Sequence, residues 1–460
     1  MGSEDLKTLF KNIDYLATFD SSDRELTKAN ILVSDGKIER IDTLDIFETE
    51  EECSEINCEG KLIIPGMVNT HHHLFQSMFR NVKGAQNMKL FDWLVFLYER
   101  WKLLYSDAIY SAATVGIYEM MKTGVTTTSD MFYLYPENSD DFFDREMEAA
   151  FRTGVRFHPC RGSMSLSRKD GGLPPDSVVQ TEEKIMEECE RVVKKYHNPS
   201  RYSMYRVALA PCSPFSVTGK LMKDTLEMAE KYDLLVHTHL AETADEDEYC
   251  IEKFGLKPVD YMEKLGWLNP RAWFAHCVYI DESERARFAE NNVGVSHCPT
   301  SNMRLGSGIA PIVEMLKHEK IRLSLAVDGS ASNDTGNMLQ ETRNALLLQR
   351  VLKGADSITP REVLKMATLG GAQVLRMDDY IGSLEVGKSA DFIAFDLNTL
   401  EFAGGLSDPL SALVLCDMKN VDLSIINGKI RIKDGIILDE DLKGIIDTQN
   451  AMSKGILERA

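Results

Sequence analysis

Eight short segments rich in apolar and β-branched residues recur through the middle of this chain, at 67–70, 126–130, 155–160, 206–211, 234–240, 273–277, 293–298 and 321–328. Helical stretches lie between them, among them 108–122, 181–196, 221–231 and 282–290. Strands joined through helices pair in parallel, because the helix carries the chain back to its starting end. Eight is the number that closes a (β/α)8 TIM-like barrel, and an open doubly wound sheet is the competing α/β arrangement. No Gly-x-Gly-x-x-Gly follows the first strand, so a dinucleotide-binding open sheet has no support.

The flanks have a different texture. Short strands are expected at 9–13, 30–34 and 37–41, with Asp35-Gly36 as a hairpin turn. A similar piece returns at 423–432, preceded by 391–395 and followed by Asp434-Gly435. Two unrelated hairpins are the simpler reading. The other is that both termini meet in one small antiparallel structure. It divides the chain into a discontinuous β-sandwich domain, 1–65 plus 381–460, and a catalytic barrel, 66–380. A length of 460 residues has room for both.

Lys and Arg number 52 against 72 Asp and Glu, and a net charge of −20 argues against nucleic acid or an anionic membrane as partner. No apolar run is long enough to span a bilayer. The acidic start at 1–5 lacks the basic and apolar regions of a signal peptide. Nine cysteines without a CxxC pair fit reduced thiols. A cytoplasmic protein acting on a small molecule is expected.

The first barrel segment ends in Asn69-Thr70-His71-His72-His73. Alternation along an extended chain turns His71 and His73 the same way and His72 away, which makes a His-x-His metal half-site. The plainer reading is three polar residues at a strand-to-loop junction. In a barrel the C-terminal strand ends carry catalysis, and four later strands end in candidates. They are His237 and His239 (fifth), His276 (sixth), His297 (seventh) and Asp328 (eighth). Spacing alone does not choose between His237 and His239. A lone histidine at a strand end is usually an ordinary hydrogen-bonded residue; several at one barrel end are not. Three imidazoles and a carboxylate leave an open position, as catalytic zinc sites do.

Pro65-Gly66-Met67-Val68-Asn69-Thr70-His71-His72-His73, His239-Leu240-Ala241-Glu242-Thr243, Ala275-His276-Cys277 and Val327-Asp328-Gly329 together resemble the amidohydrolase superfamily. More narrowly they resemble its aminohydrolase branch, which deaminates or dechlorinates purine-like and triazine rings. The resemblance implies one divalent metal ion, zinc or iron, on His71, His73, His239 and Asp328. It implies Glu242 as general acid/base, His276 as partner of the attacking oxygen and Asp328 as proton acceptor. His237 then stands behind the ligands or beside the substrate. Two-metal members carry a bridging lysine near the end of strand four; Ala210-Pro211-Cys212 stands here, with Cys212 as a pocket wall.

Within that branch, residues 160–165, 171–176, 297–304 and 328–334 are most similar to the members that deaminate 8-oxoguanine. The implied reaction is 8-oxoguanine plus water to urate plus ammonia. Gln76 offers a donor and an acceptor to a ring amide edge, Arg161 a donor to a ring carbonyl, and Trp93 a stacking face. Their structural alternatives are a helix start, an ion pair and core packing. The aromatic-rich stretch 93–101 is expected to overhang the ligands. A triazine, S-adenosylhomocysteine or guanine-type aminohydrolase is the alternative on the same scaffold, and a non-catalytic scaffold protein is the second. The intact set His71, His73, His239, Glu242, His276 and Asp328 argues against the latter. The resemblance also implies a homo-oligomer.

Overall fold

The computed structural model describes residues 7–43, 53–137, 139–416 and 420–460; the acidic stretch at 1–5 lies outside them. Eight strands hydrogen-bond side by side in chain order: Met67–Asn69, Val125–Phe132, Arg156–Ser163, Ala208–Pro211, Val236–Leu240, Ala272–His276, Gly294–His297 and Arg322–Leu325. All seven pairings are parallel. First and last edges approach each other. Asp328 N–H donates to His71 O at 3.2 Å, and Thr70 Oγ1 lies 2.7 Å from Ser324 Oγ. The sheet is therefore a nearly closed barrel. Every residue of Val125–Phe132 is buried, which explains why the barrel strands read as runs rather than alternations.

The expected helices are present as Ser106–Lys122, Glu182–Tyr196, Gly219–Tyr232 and Glu282–Glu290. Local capping starts them. Thr218 accepts from Leu221 N–H at 3.0 Å, and Asp281 and Glu284 cap each other's backbone N–H.

The terminal segments meet in one nine-stranded sheet that is mixed, not purely antiparallel as expected. Thr8–Ala17 runs antiparallel to Glu25–Ser34 but parallel to Ser54–Asn57 and Lys61–Pro65. Lys61–Pro65 then pairs antiparallel with Phe392–Asp396, which leads to Leu423–Ile426 and Lys429–Lys433. The piece 423–432 is thus two strands, broken at Asn427-Gly428, where φ is 50° and 75°. Asp35-Gly36 has the same paired positive φ, 48° and 71°. The two turns touch: a Cβ on Gly428 would lie 2.6 Å from Gly36 Cα. Phe10, Ile13, Ile31, Ile63, Phe392 and Ile425 give this sheet its own core.

Arg156 ties sheet to barrel. Its guanidinium binds Asp391 at 2.8 and 3.2 Å, Ser389 Oγ at 2.8 Å and the carbonyls of Tyr202 and Ser203 at 3.0 and 2.8 Å. A helix absent from the sequence expectations, Leu442–Leu457, lies against Ser106–Lys122 and the turn after the first barrel strand. Gln449 accepts from Ser111 Oγ at 2.7 Å and donates to Ser77 Oγ at 3.3 Å, and Ser453 Oγ donates to Met78 O at 2.7 Å. No described helix is long and apolar enough to cross a membrane.

Candidate active site

Hydrogen bonds at the back of each imidazole determine what it shows to the barrel mouth. His73 Nδ1–H donates to Met131 O at 2.8 Å, and His239 Nδ1–H to Cys212 O at 2.6 Å. Both Nε2 lone pairs therefore point inward. His71 is set by a two-step chain. His237 Nδ1 lies 2.8 Å from Trp273 O and must donate to it, so His237 Nε2 accepts. The partner at that Nε2 is His71 Nδ1, 2.8 Å away, which must donate. His71 Nε2 is left with a lone pair, buried and without a hydrogen-bond donor.

These lone pairs converge on a carboxylate. His73 and His239 Nε2 are 3.1 Å apart, and Asp328 Oδ1 lies 3.2 Å from His71 Nε2 and 3.4 Å from His73 Nε2. Acceptors facing acceptors at such distances repel unless a cation lies among them. The separations suit donors about 2 Å from one shared ion. Burial also drives His71 and His239 well below the ordinary imidazole value, so both are neutral and able to ligate. The residues present fit a divalent ion.

The backbone is strained where these groups are mounted. Ala241, His276, Cys277 and Asp328, at the ends of strands five, six and eight, all take left-handed φ, from 50° to 72°. Such conformations concentrate where surrounding structure enforces them, commonly at functional sites. Glu246 holds one of these turns by accepting from Ala241 and Glu242 N–H, each at 3.0 Å.

Glu242 projects beside the ligands. Its Oε1 accepts from Ser307 Oγ at 3.2 Å, and its Oε2 lies 3.5 Å from His276 Nε2. Burial lifts its carboxyl above the ordinary glutamate value. His276 Nδ1–H donates to Asn302 Oδ1 at 2.8 Å, which aims Nε2 at Glu242 and at Asp328 Oδ2, 3.9 Å away. Burial opposes charge on His276, but the Glu242 and Asp328 carboxylates outweigh it and raise its pKa.

Above the ligands is a cavity. Gln76, Tyr133, Cys212 and Phe215 line its sides, and Leu90, Trp93, Leu94 and Tyr98 of the helix Leu90–Trp101 form its roof. The overhang read from the aromatic stretch is this helix. Gln76 Oε1 accepts from Ala331 N–H at 3.3 Å. Gly329 permits that seat, since a Cβ there would lie 2.0 Å from Gln76 Oε1. No lysine is among the described lining residues.

Two sequence candidates lie elsewhere. Arg161 does not reach the cavity; its guanidinium rests 3.6 Å from the centroid of the Tyr135 ring and binds Gln180 Oε1 at 2.6 Å. Alternation is the cause: His158 of the same strand turns towards Trp273, and Arg161, three residues on, has the opposite parity. His237 stacks on Trp273 behind His71, with ring centroids 4.2 Å apart, and takes no part in the lining. Sequence reasoning missed Asn302, Ser307, Glu246 and Tyr133. Asn302 was within reach, inside the 297–304 run; Glu246, an acidic residue in a helix's first turn, carried no distinguishing signal.

The Amidohydrolase family model matches residues 62–431. An 8-oxoguanine deaminase of Pseudomonas aeruginosa is 41% identical over 427 residues, 93% of this chain and 94% of the relative. A hydroxydechloroatrazine ethylaminohydrolase of Pseudomonas sp. strain ADP is 34% identical, over 93% and 91%. Among solved structures, an atrazine chlorohydrolase from Arthrobacter aurescens TC1 complexed with zinc superposes with a TM-score of 0.93. It is 30% identical, covering 97% of this chain and all of the other.

Proposed function

Because this chain belongs to the amidohydrolase family and is a hydrolase of C–N bonds, we propose that it deaminates a 2-amino-4-oxo heterocycle, 8-oxoguanine going to urate and ammonia. The observation that carries the reading is the set of three inward Nε2 lone pairs and Asp328, with Glu242 and His276 beside it.

His71, His73, His239 and Asp328 would hold one divalent ion, zinc or iron. When bound, such an ion supplies a water whose pKa is about 7, acidic enough to yield a nucleophile near neutrality. Asp328 takes the proton released as oxygen attacks the ring carbon that bears the amine. Glu242, whose raised pKa lets it carry a proton, delivers one to the adjacent ring nitrogen, and the carbon becomes tetrahedral. His276 Nε2–H stabilises charge on the attacking oxygen. Return of a proton to the amine releases ammonia and restores the carbonyl. Gln76 is suited to read the ring's amide edge, and Trp93 to cover its face.

The test is ammonia release across 8-oxoguanine, guanine, isocytosine, a pterin, an aminotriazine and S-adenosylhomocysteine, with metal content measured on the same sample. The highest kcat/KM is expected for 8-oxoguanine. Turnover confined to the triazine or to S-adenosylhomocysteine would overturn the substrate reading while leaving the hydrolase.

A further inference from the structure

At the barrel end opposite the ligands lies a second polar cavity, of about 140 Å³, lined by His158, His197, Arg206, Asp233 and Arg376. One water needs only ~10–15 Å³ of such space. Val207 and Leu235, which immediately precede the fourth and fifth barrel strands, also line it, so it opens at the N-terminal face.

Its walls hold buried polar atoms without partners, two of them donors. His197 Nδ1 accepts from Val207 N–H at 3.1 Å, so the ring proton is on Nε2. That Nε2–H is buried and has no acceptor among the described residues; the same holds for Arg206 Nε–H. His158 is 2% exposed, and its Nδ1 also lacks a partner there. Leaving such groups unmatched costs roughly 1–3 kcal/mol each, more when charged.

The charge is one-sided as well. Arg206 donates only to carbonyls, of Arg376 at 3.3 Å and Pro199 at 3.2 Å. Arg376 comes no nearer than 4.0 Å to Asp233, and that carboxylate is already bonded by Arg271. Behind them Arg322 binds carbonyls too, at Pro270, Ala272, Gln373 and Val374. Burial first, and then the neighbouring Arg376, push Arg322 down to about 10. Asp233 and Asp378 are the nearby carboxylates.

We propose that this cavity binds a phosphate-type oxyanion, free or as a monoester. A tetrahedral anion can accept from His197, Arg206 and Arg376 at once, where a flat carboxylate engages one guanidinium fork. The exposed lip at Pro199 and Asp233 leaves room for an organic group outside. The inference stands apart from the substrate of the catalytic mouth, since none of these residues lines that pocket.

Calorimetric titration of the metal-loaded enzyme tests it, with inorganic phosphate, ribose 5-phosphate and acetate at one ionic strength held by chloride. Saturable binding of phosphate, of ribose 5-phosphate or of both is expected, with acetate weaker. Arg206→Gln and, as a second variant should the first not fold, Arg376→Gln are each expected to weaken it roughly 10-fold or more, the loss of a charge-assisted hydrogen bond. Ammonia release by either variant is expected at the wild-type rate. Absence of saturable binding, equal binding of acetate, or phosphate binding unchanged in both folded variants (an anion on the catalytic metal) would each overturn the assignment.

Discussion

Two buried polar clusters, Arg156 at the seam between sheet and barrel and the ligand set at the barrel mouth, treat their charge in opposite ways. Around Arg156, the five guanidinium N–H groups each meet an oxygen, and Asp391 lies flat against the fork. At the mouth, His71, His73, His239 and Asp328 turn acceptors towards one another. Asp391 and Arg156 have satisfied one another and have nothing left to offer a ligand. The mouth leaves its acceptors unspent and so could hold a cation. Buried polarity that is closed holds a fold together; buried polarity left open is available for chemistry.

That contrast can be broken experimentally. The largest effect is expected at Glu242: Glu242→Gln should lower kcat by ~10²–10⁴-fold with melting temperature and metal content unchanged. A metal-replete variant turning over at the normal rate would remove Glu242 from the chemistry. Arg156→Met should do the reverse. Stripping one partner from a buried pair costs about 3–5 kcal/mol, read in urea unfolding, while the folded fraction keeps its kcat/KM. An unchanged unfolding midpoint would mean that the pair is not structural. His237 lies between the two regimes, because it completes His71 from behind. His237→Phe is expected to weaken metal retention ~10–100-fold in chelator competition, and wild-type retention would show that His71 keeps its tautomer unaided. The smallest effect is in the roof, where Trp93→Leu should raise KM by roughly 3–10-fold, the ~0.5–1.5 kcal/mol of an aromatic contact. A change confined to kcat would argue that Trp93 does not touch the ring.

Much of the barrel was legible because a parallel strand buried on both faces leaves a short apolar run, and a polar residue ending such a run stands out. His71, His73, His276 and Asp328 are conspicuous for that reason. The choice between His237 and His239 was not, since period two puts both inside and says nothing of depth. Depth decides it: His239 meets His73 across the mouth, whereas His237 lies one layer lower against Trp273. Arg161 went astray because a strand end was read without its parity. The helix Leu442–Leu457 was hidden by glycines at 444 and 455 that dilute its helical pattern. Long-range partners such as Asn302 for His276 are fixed by tertiary geometry, which no local spacing encodes.

The seat of Leu442–Leu457 bears on how the enzyme matures. Ser77 and Met78, in the turn that also carries Gln76, receive hydrogen bonds from residues 372 and 375 positions downstream. A ribosome therefore exposes the first two histidines long before it has made the pieces that brace them. The histidine pair and the helix that holds the turn beyond it are neighbours through folding alone, so a change in Leu442–Leu457 reaches the segment that carries Gln76 without touching the cavity.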